Sequence, residues 1–88
     1  MNYGKMELEE LINKIEQASN DHRIPQRIRN VLKRISKDLK SDPKDLSVKI
    51  TSAVYELDDI LEDINIPMHA KTVLWDIISD LEEISKEV

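Results

Sequence analysis

The chain has no cysteine and no phenylalanine, one glycine and three prolines, and its aromatics are one tryptophan and two tyrosines. The lack of cysteine excludes disulfides, thiolate metal sites and thiol catalysis. With so little glycine there is no loop of the kind that cradles phosphates, and neither an H-E-x-x-H nor a G-x-S-x-G pattern occurs. No apolar run approaches the length of a membrane span, and the first ten residues hold Glu7, Glu9 and Glu10 in place of a leader's apolar segment. A cytoplasmic protein with no membrane association, no cofactor and no metal is expected.

What remains is a chain of 88 residues, 35% charged, dominated by Leu, Ile, Lys and Glu, which favours helix over strand. Its length suits a single domain spanning 1–88, with little core to spare. The net charge of -5 argues against the whole surface being a nucleic-acid platform.

Pro25, Pro43 and Pro67 each stand where a polar cluster gives way to helical periodicity, so they mark helix starts, where proline's missing donor costs nothing. Four helices follow, over about 5–20, 25–40, 43–63 and 67–87. Asp42 before Pro43 is placed to cap the third, with Asp45 resembling the partner in a capping box. Ile24 and Ile66 precede their prolines where a capping oxygen is expected, and an apolar residue there suits a staple into the next helix.

Sliding the sequence against itself by 42 residues places Ile24-Pro25 on Ile66-Pro67, Val31-Leu32 on Val73-Leu74, Ile35 on Ile77 and Asp38-Leu39 on Asp80-Leu81, without a gap. Upstream, Leu8, Ile12 and Ile15 fall on Ile50, Val54 and Leu57. Two units are implied, about 5–42 and 43–88, each a helical hairpin with a period in the range of HEAT and armadillo repeats. Two copies are too few for a free-standing solenoid. Either the hairpins fold onto each other as a compact four-helix body with bundle-like packing, or identical chains complete a stack.

Spacings of three and four define one apolar stripe per helix. The stripes are Leu8, Leu11, Ile12, Ile15 and Ala18; Ile28, Val31, Leu32, Ile35 and Leu39; Leu46, Ile50, Ala53, Val54, Leu57, Ile60, Leu61 and Ile64; and Ala70, Val73, Leu74, Ile77, Leu81 and Ile84. All are assigned to the core. Short links make sequence neighbours antiparallel.

The segments Ile24-Pro25-Gln26-Arg27-Ile28-Arg29 and Ile66-Pro67-Met68-His69-Ala70-Lys71-Thr72-Val73-Leu74-Trp75 resemble those of the small archaeal proteins grouped as family 0147 of the uncharacterised protein family series. The second segment is the more specific, and the likeness runs from about Leu8 to Glu83. It implies an archaeal source and an all-helical fold. The family has no assigned activity, so the likeness transfers no functional residue.

Two surfaces stand out as candidates. Arg23, Arg27, Arg29, Lys33, Arg34, Lys37 and Lys40 oppose Asp38 alone within residues 22–40, a net of +6 that leaves -11 on the rest of the chain. At about 100° per residue they share one broad arc opposite the apolar stripe. Such a stripe suits phosphates or an acidic partner, but no aromatic is interleaved for base stacking. The favoured expectation is a solvated face neutralised within the molecule, with RNA or DNA binding as the alternative.

The other candidate lies in the second unit, where Met68, Trp75 and Ile78 sit beside the main stripe of the fourth helix. Their counterparts in the first unit are Gln26, Lys33 and Ser36, so the hairpin itself does not demand apolar residues there. Core packing, a second subunit or a protein partner would each cover them, and Trp is a favoured anchor in contacts between proteins. Val48 and Tyr55, two turns apart, face away from the stripe of the third helix. Self-association as a homodimer or other homo-oligomer is expected, with a protein partner as the alternative.

Asp58, Asp59, Glu62 and Asp63 are expected to form a solvated acidic face, without the converging oxygens and defined loop that a Mg²⁺ or Ca²⁺ site needs. His22 and His69 lack a nucleophile or orienting group in sequence context and are expected to be surface or turn residues. No catalytic residue is assigned, and a small helical interaction or scaffold protein is the expected class.

Overall fold

In a computed structural model that describes residues 3–41 and 44–87, with side chains from Leu8 onward, the chain forms four helices: α1 (Tyr3–Ser19), α2 (Gln26–Lys40), α3 (Leu46–Leu61) and α4 (Met68–Ser85). The described residues contain no strand.

Each stripe turns inward, and the core holds Leu11, Ile12 and Ile15 of α1, Ile28, Leu32, Ile35 and Leu39 of α2, Ile50, Ala53 and Leu57 of α3, and Ala70, Leu74, Ile77, Leu81 and Ile84 of α4. Leu8, Val31, Leu46, Val54, Ile60, Leu61 and Val73 pack around its edge. Among the described residues branched aliphatics fill the interior without an aromatic ring. Ile64 departs from its assignment: it stands in the α3–α4 link and is 86% exposed, because the helix ends at Leu61 and the 3.6-residue period no longer carries it inward.

Pro25 and Pro67 sit one residue outside their helices, at the caps, with extended ψ of 144° and 146°. No side chain caps either helix. The Pro25 carbonyl instead accepts the amides of Ile28 and Arg29 at 3.0 Å, and that of Pro67 accepts Lys71 at 3.1 Å. Ile24 and Ile66 are buried at 1% and 5%. The residues four positions into these helices are Arg29 and Lys71, so the two isoleucines join the core rather than form a staple. The Arg29 guanidinium reaches back to the Ile24 carbonyl at 2.9 Å.

The expected start of the third helix is corrected. Asp42 and Pro43 lie outside the described residues, and α3 begins at Leu46, so Asp45 is its cap residue rather than a third-position partner. Asp45 is left-handed (φ 59°), a conformation that a short polar side chain tolerates better than most.

The arrangement of neighbours separates a bundle from a stack. Among the described residues α1 packs on α2 and α4, and α3 packs on α4 and α2, while the backbones of the diagonal pairs α1–α3 and α2–α4 do not come close. A stacked repeat array sets equivalent helices side by side, whereas here the four form a closed ring 40 × 21 × 21 Å in extent. The polar ties between the hairpins are reciprocal under the 42-residue offset. Asp21, in the first link, meets His69 of α4, and Asp63, its counterpart in the other link, meets Arg27 of α2, the counterpart of His69. Likewise Lys14 of α1 bonds Asp76 of α4 at 2.8 Å, while Glu56 of α3, the counterpart of Lys14, bonds Arg34 of α2, the counterpart of Asp76. A contact in which each side contributes both halves belongs to a two-fold arrangement, not to a translational stack.

Leu74, fully buried, contributes transfer energy and fills volume that its neighbours cannot recover. Leu74→Ala is expected to lower the unfolding free energy by about 2–5 kcal/mol in urea titrations. Ile64→Ala, at an exposed position, is expected to change it by less than about 0.5 kcal/mol.

Candidate functional site

The basic face of α2 is largely spent within the molecule. Arg27 pairs with Asp63, Arg34 with Glu56 and Lys40 with Glu16, while Arg23 pairs with Asp21 at 3.1 Å in the preceding link. Arg29 is turned to the Ile24 carbonyl. Lys33 and Lys37 are exposed and have no ion pair among the described residues. Of the acidic cluster on the second hairpin, Asp63 is taken up by Arg27, whereas Asp58, Asp59 and Glu62 face solvent. Among the described residues no group of three or more His, Asp or Glu side chains is placed to hold a metal ion.

The two links are built alike. Asp21 accepts the Arg23 backbone amide and Asp63 accepts that of Asn65, each at 2.9 Å, a side-chain turn that fixes both carboxylates at the ends of the first helices. Asp21 then receives the Arg23 guanidinium and lies 2.7 Å from His69 Nε2, and these hydrogen bonds hold its carboxyl well below the usual carboxylate range. The Asn65 amide, followed by the Arg27 guanidinium, lowers that of Asp63. Lys14, donating to Asp76 and Asp80, is pushed above the ordinary lysine value.

The groove beside His69 is lined by Lys14, Gln17, Ala18, Asp21, Arg23, Val73 and Asp76. None of these offers a hydroxyl or thiol nucleophile, and Lys14 is held as ammonium by two carboxylates. His22 is exposed in the first link. The Asp21–His69 contact occupies the position that Asp63–Arg27 occupies in the other half, so what it does in the geometry is tie one hairpin to the other. His69, expected to be a surface or turn residue, stands half-buried in the first turn of α4 with Asp21 as its partner. The 42-residue offset sets Asp21 on Asp63 and Arg27 on His69, but only the structure shows that these positions meet.

The apolar candidates divide. Ile78 is 7% exposed and is covered within the chain by the core, which removes it from the surface set. Its counterpart Ser36 is buried too, and a hydroxyl fits there because it donates to the Lys33 carbonyl at 2.9 Å. Val48, Tyr55, Met68 and Trp75 are exposed, Trp75 at 53% and Tyr55 at 72%. Packing within this chain therefore does not account for them. Ile64, assigned to the core from its spacing, adds to the exposed apolar surface of the same hairpin.

Residues 1–84 match the uncharacterised protein family UPF0147. The chain belongs to this family. Among its UPF0147 relatives is a protein of Archaeoglobus fulgidus, 35% identical over 96% of this chain and 95% of its own length. Others are proteins of Pyrococcus furiosus, 33% identical over 88% of each chain, and Pyrococcus abyssi, 32% identical over 89% of this chain and 96% of the relative. These relatives are archaeal, and the UPF0147 family carries no assigned function. No solved structure matches. Among the described residues no helix is long and apolar enough to cross a membrane.

Acid should weaken the link carboxylates' contribution. Because the carboxyls of Asp21 and Asp63 are depressed in the fold, the stability they confer is fully present above the ordinary value of 3.8 and is lost as pH falls below it toward their folded values. Asp21→Asn keeps the side-chain turn but removes the charge. Urea titrations at pH 7 and pH 3 are expected to show a smaller acid-induced loss in Asp21→Asn than in the unsubstituted protein.

Proposed function

We propose that this UPF0147 chain is a small cytoplasmic interaction protein, non-enzymatic, whose contact surface is the outer face of the α3–α4 hairpin. Self-association through that face is the primary reading and a protein partner the second. The observation that carries it is the exposure of Trp75 together with the polar identity of its counterpart, Lys33. The first hairpin serves as an internal control: at the matching positions of the same fold it carries Gln26 and Lys33 where the second carries Met68 and Trp75. Apolar residues there are not a requirement of the hairpin, and large rigid side chains exposed together suit a contact surface. The 42-residue offset is read as a duplicated helical hairpin in the broad manner of HEAT-type repeats, with the ring-like packing described above.

Nucleic-acid binding by α2 is the weaker alternative, because Arg23, Arg27, Arg34 and Lys40 are already paired with carboxylates of the same chain. A phosphate backbone would have to displace those pairs. Retention on immobilised RNA is expected to be absent even at low salt, and salt-sensitive retention lost in the double variant Arg27→Glu, Arg34→Glu would favour the alternative.

Sedimentation velocity tests the main reading. The protein is expected to associate as its concentration rises, and Trp75→Ala to weaken that association by about tenfold or more while leaving helicity unchanged. A strict monomer at high concentration would remove self-association.

A further inference from the structure

The two hairpins oppose each other in charge. Residues 3–41 hold nine basic and six acidic side chains, whereas residues 44–87 hold four basic and eleven acidic. On the α2 flank, Lys33 and Lys37 are exposed, one turn apart and without an ion pair among the described residues. On the opposite flank, exposed Asp58, Asp59 and Glu62 lie at helical spacing from Tyr55, and Glu82 lies two turns from Trp75, with the half-buried Lys71 as a cation one turn before Trp75. Under the 42-residue offset Trp75 corresponds to Lys33 and Glu82 to Lys40.

We propose that the α3–α4 flank of one copy docks on the α2 flank of a second copy, head to tail, setting Trp75 against Lys33 and Lys37. This rests on the reading of the second hairpin as the contact surface and adds the identity and face of its occupant. A symmetric contact of patch against patch would bring Asp58, Asp59, Glu62 and Glu82 of one copy against the same residues of the other, and like charges brought together in a contact are penalised. The basic flank of a second copy replaces that repulsion with attraction and offers ammonium groups to the Trp75 ring. A flank 40 × 21 Å is of the size that a standard contact covers, about 800 Å² on each partner. Such a contact uses two different surfaces and does not close on itself, so each added copy leaves a free flank at either end.

Complementation between variants tests this. Trp75→Ala removes the patch and keeps the basic flank, while the double variant Lys33→Glu, Lys37→Glu removes the basic flank and keeps the patch. All three positions are exposed, and far-UV circular dichroism with thermal melting checks that each variant folds. In sedimentation velocity the unsubstituted protein is expected to grow with concentration and to revert toward monomer at high salt. Each variant alone is expected to associate at least about tenfold more weakly. An equimolar mixture is expected to form a one-to-one complex and stop there, since one intact flank from each side suffices for a single contact. If the double lysine variant associates as the unsubstituted protein does while Trp75→Ala does not, head-to-tail docking is overturned and the contact surface on the second hairpin stands. If Trp75→Ala associates unchanged, both fall; if the unsubstituted protein stays monomeric at every concentration, head-to-tail docking and self-association are overturned.

Discussion

Four aliphatic stripes must be covered at once by a chain too short to spare any of them. With no cysteine in the chain and no aromatic core residue among the described residues, the burial of Ile15, Ile28, Leu32, Ile50, Leu57, Leu74, Ile77 and Leu81 is what holds the protein together. A fully buried Leu or Ile is worth about 1.5–3 kcal/mol, whereas an exposed ion pair is worth at most about 1 kcal/mol. The salt bridges therefore select among arrangements of a core that the aliphatics stabilise. A single hairpin would leave its stripe half wet, and closing the ring of four covers every stripe on both sides.

The polar ties show how that selection works. Lys14 with Asp76 and Arg34 with Glu56 are counterparts with inverted charge. Two copies of the first hairpin packed in the same manner would set Lys14 against Arg34, and two copies of the second would set Glu56 against Asp76. Both mismatches are like-charged, so the charge pattern favours joining unlike hairpins. The same inversion extends to the outer surface, where the first hairpin is basic and the second acidic and apolar. Surface charge and the ties between hairpins thus follow the same inversion of sign between positions 42 residues apart.

Much of this was legible along the chain. Helix count, stripe membership and the 42-residue offset follow from periodicity and proline placement, and Ile64 fails only because helix α3 ends before it. Helix starts were less legible. Pro25 and Pro67 act from just outside the helix rather than inside it, and α3 begins later than Pro43 suggests. A proline restricts φ at its own position, which suits the cap as well as the first turn, so the residue type does not choose between them. Ile78 and Trp75 were indistinguishable as members of a second stripe, because a helical angle does not say how far a neighbouring helix reaches around.

Local pattern determined that this chain is helical and divided into four, since those properties depend on side-chain period and on backbone limits near proline. Tertiary structure alone decided that the hairpins close as a ring instead of stacking, that Arg27, Arg34 and Lys40 of α2 are met by carboxylates of the α3–α4 link, α3 and α1, and that Trp75 faces solvent while Ile78 does not. These outcomes depend on distances between residues far apart in sequence, such as Asp21 and His69, and no periodicity within one helix encodes the position of another.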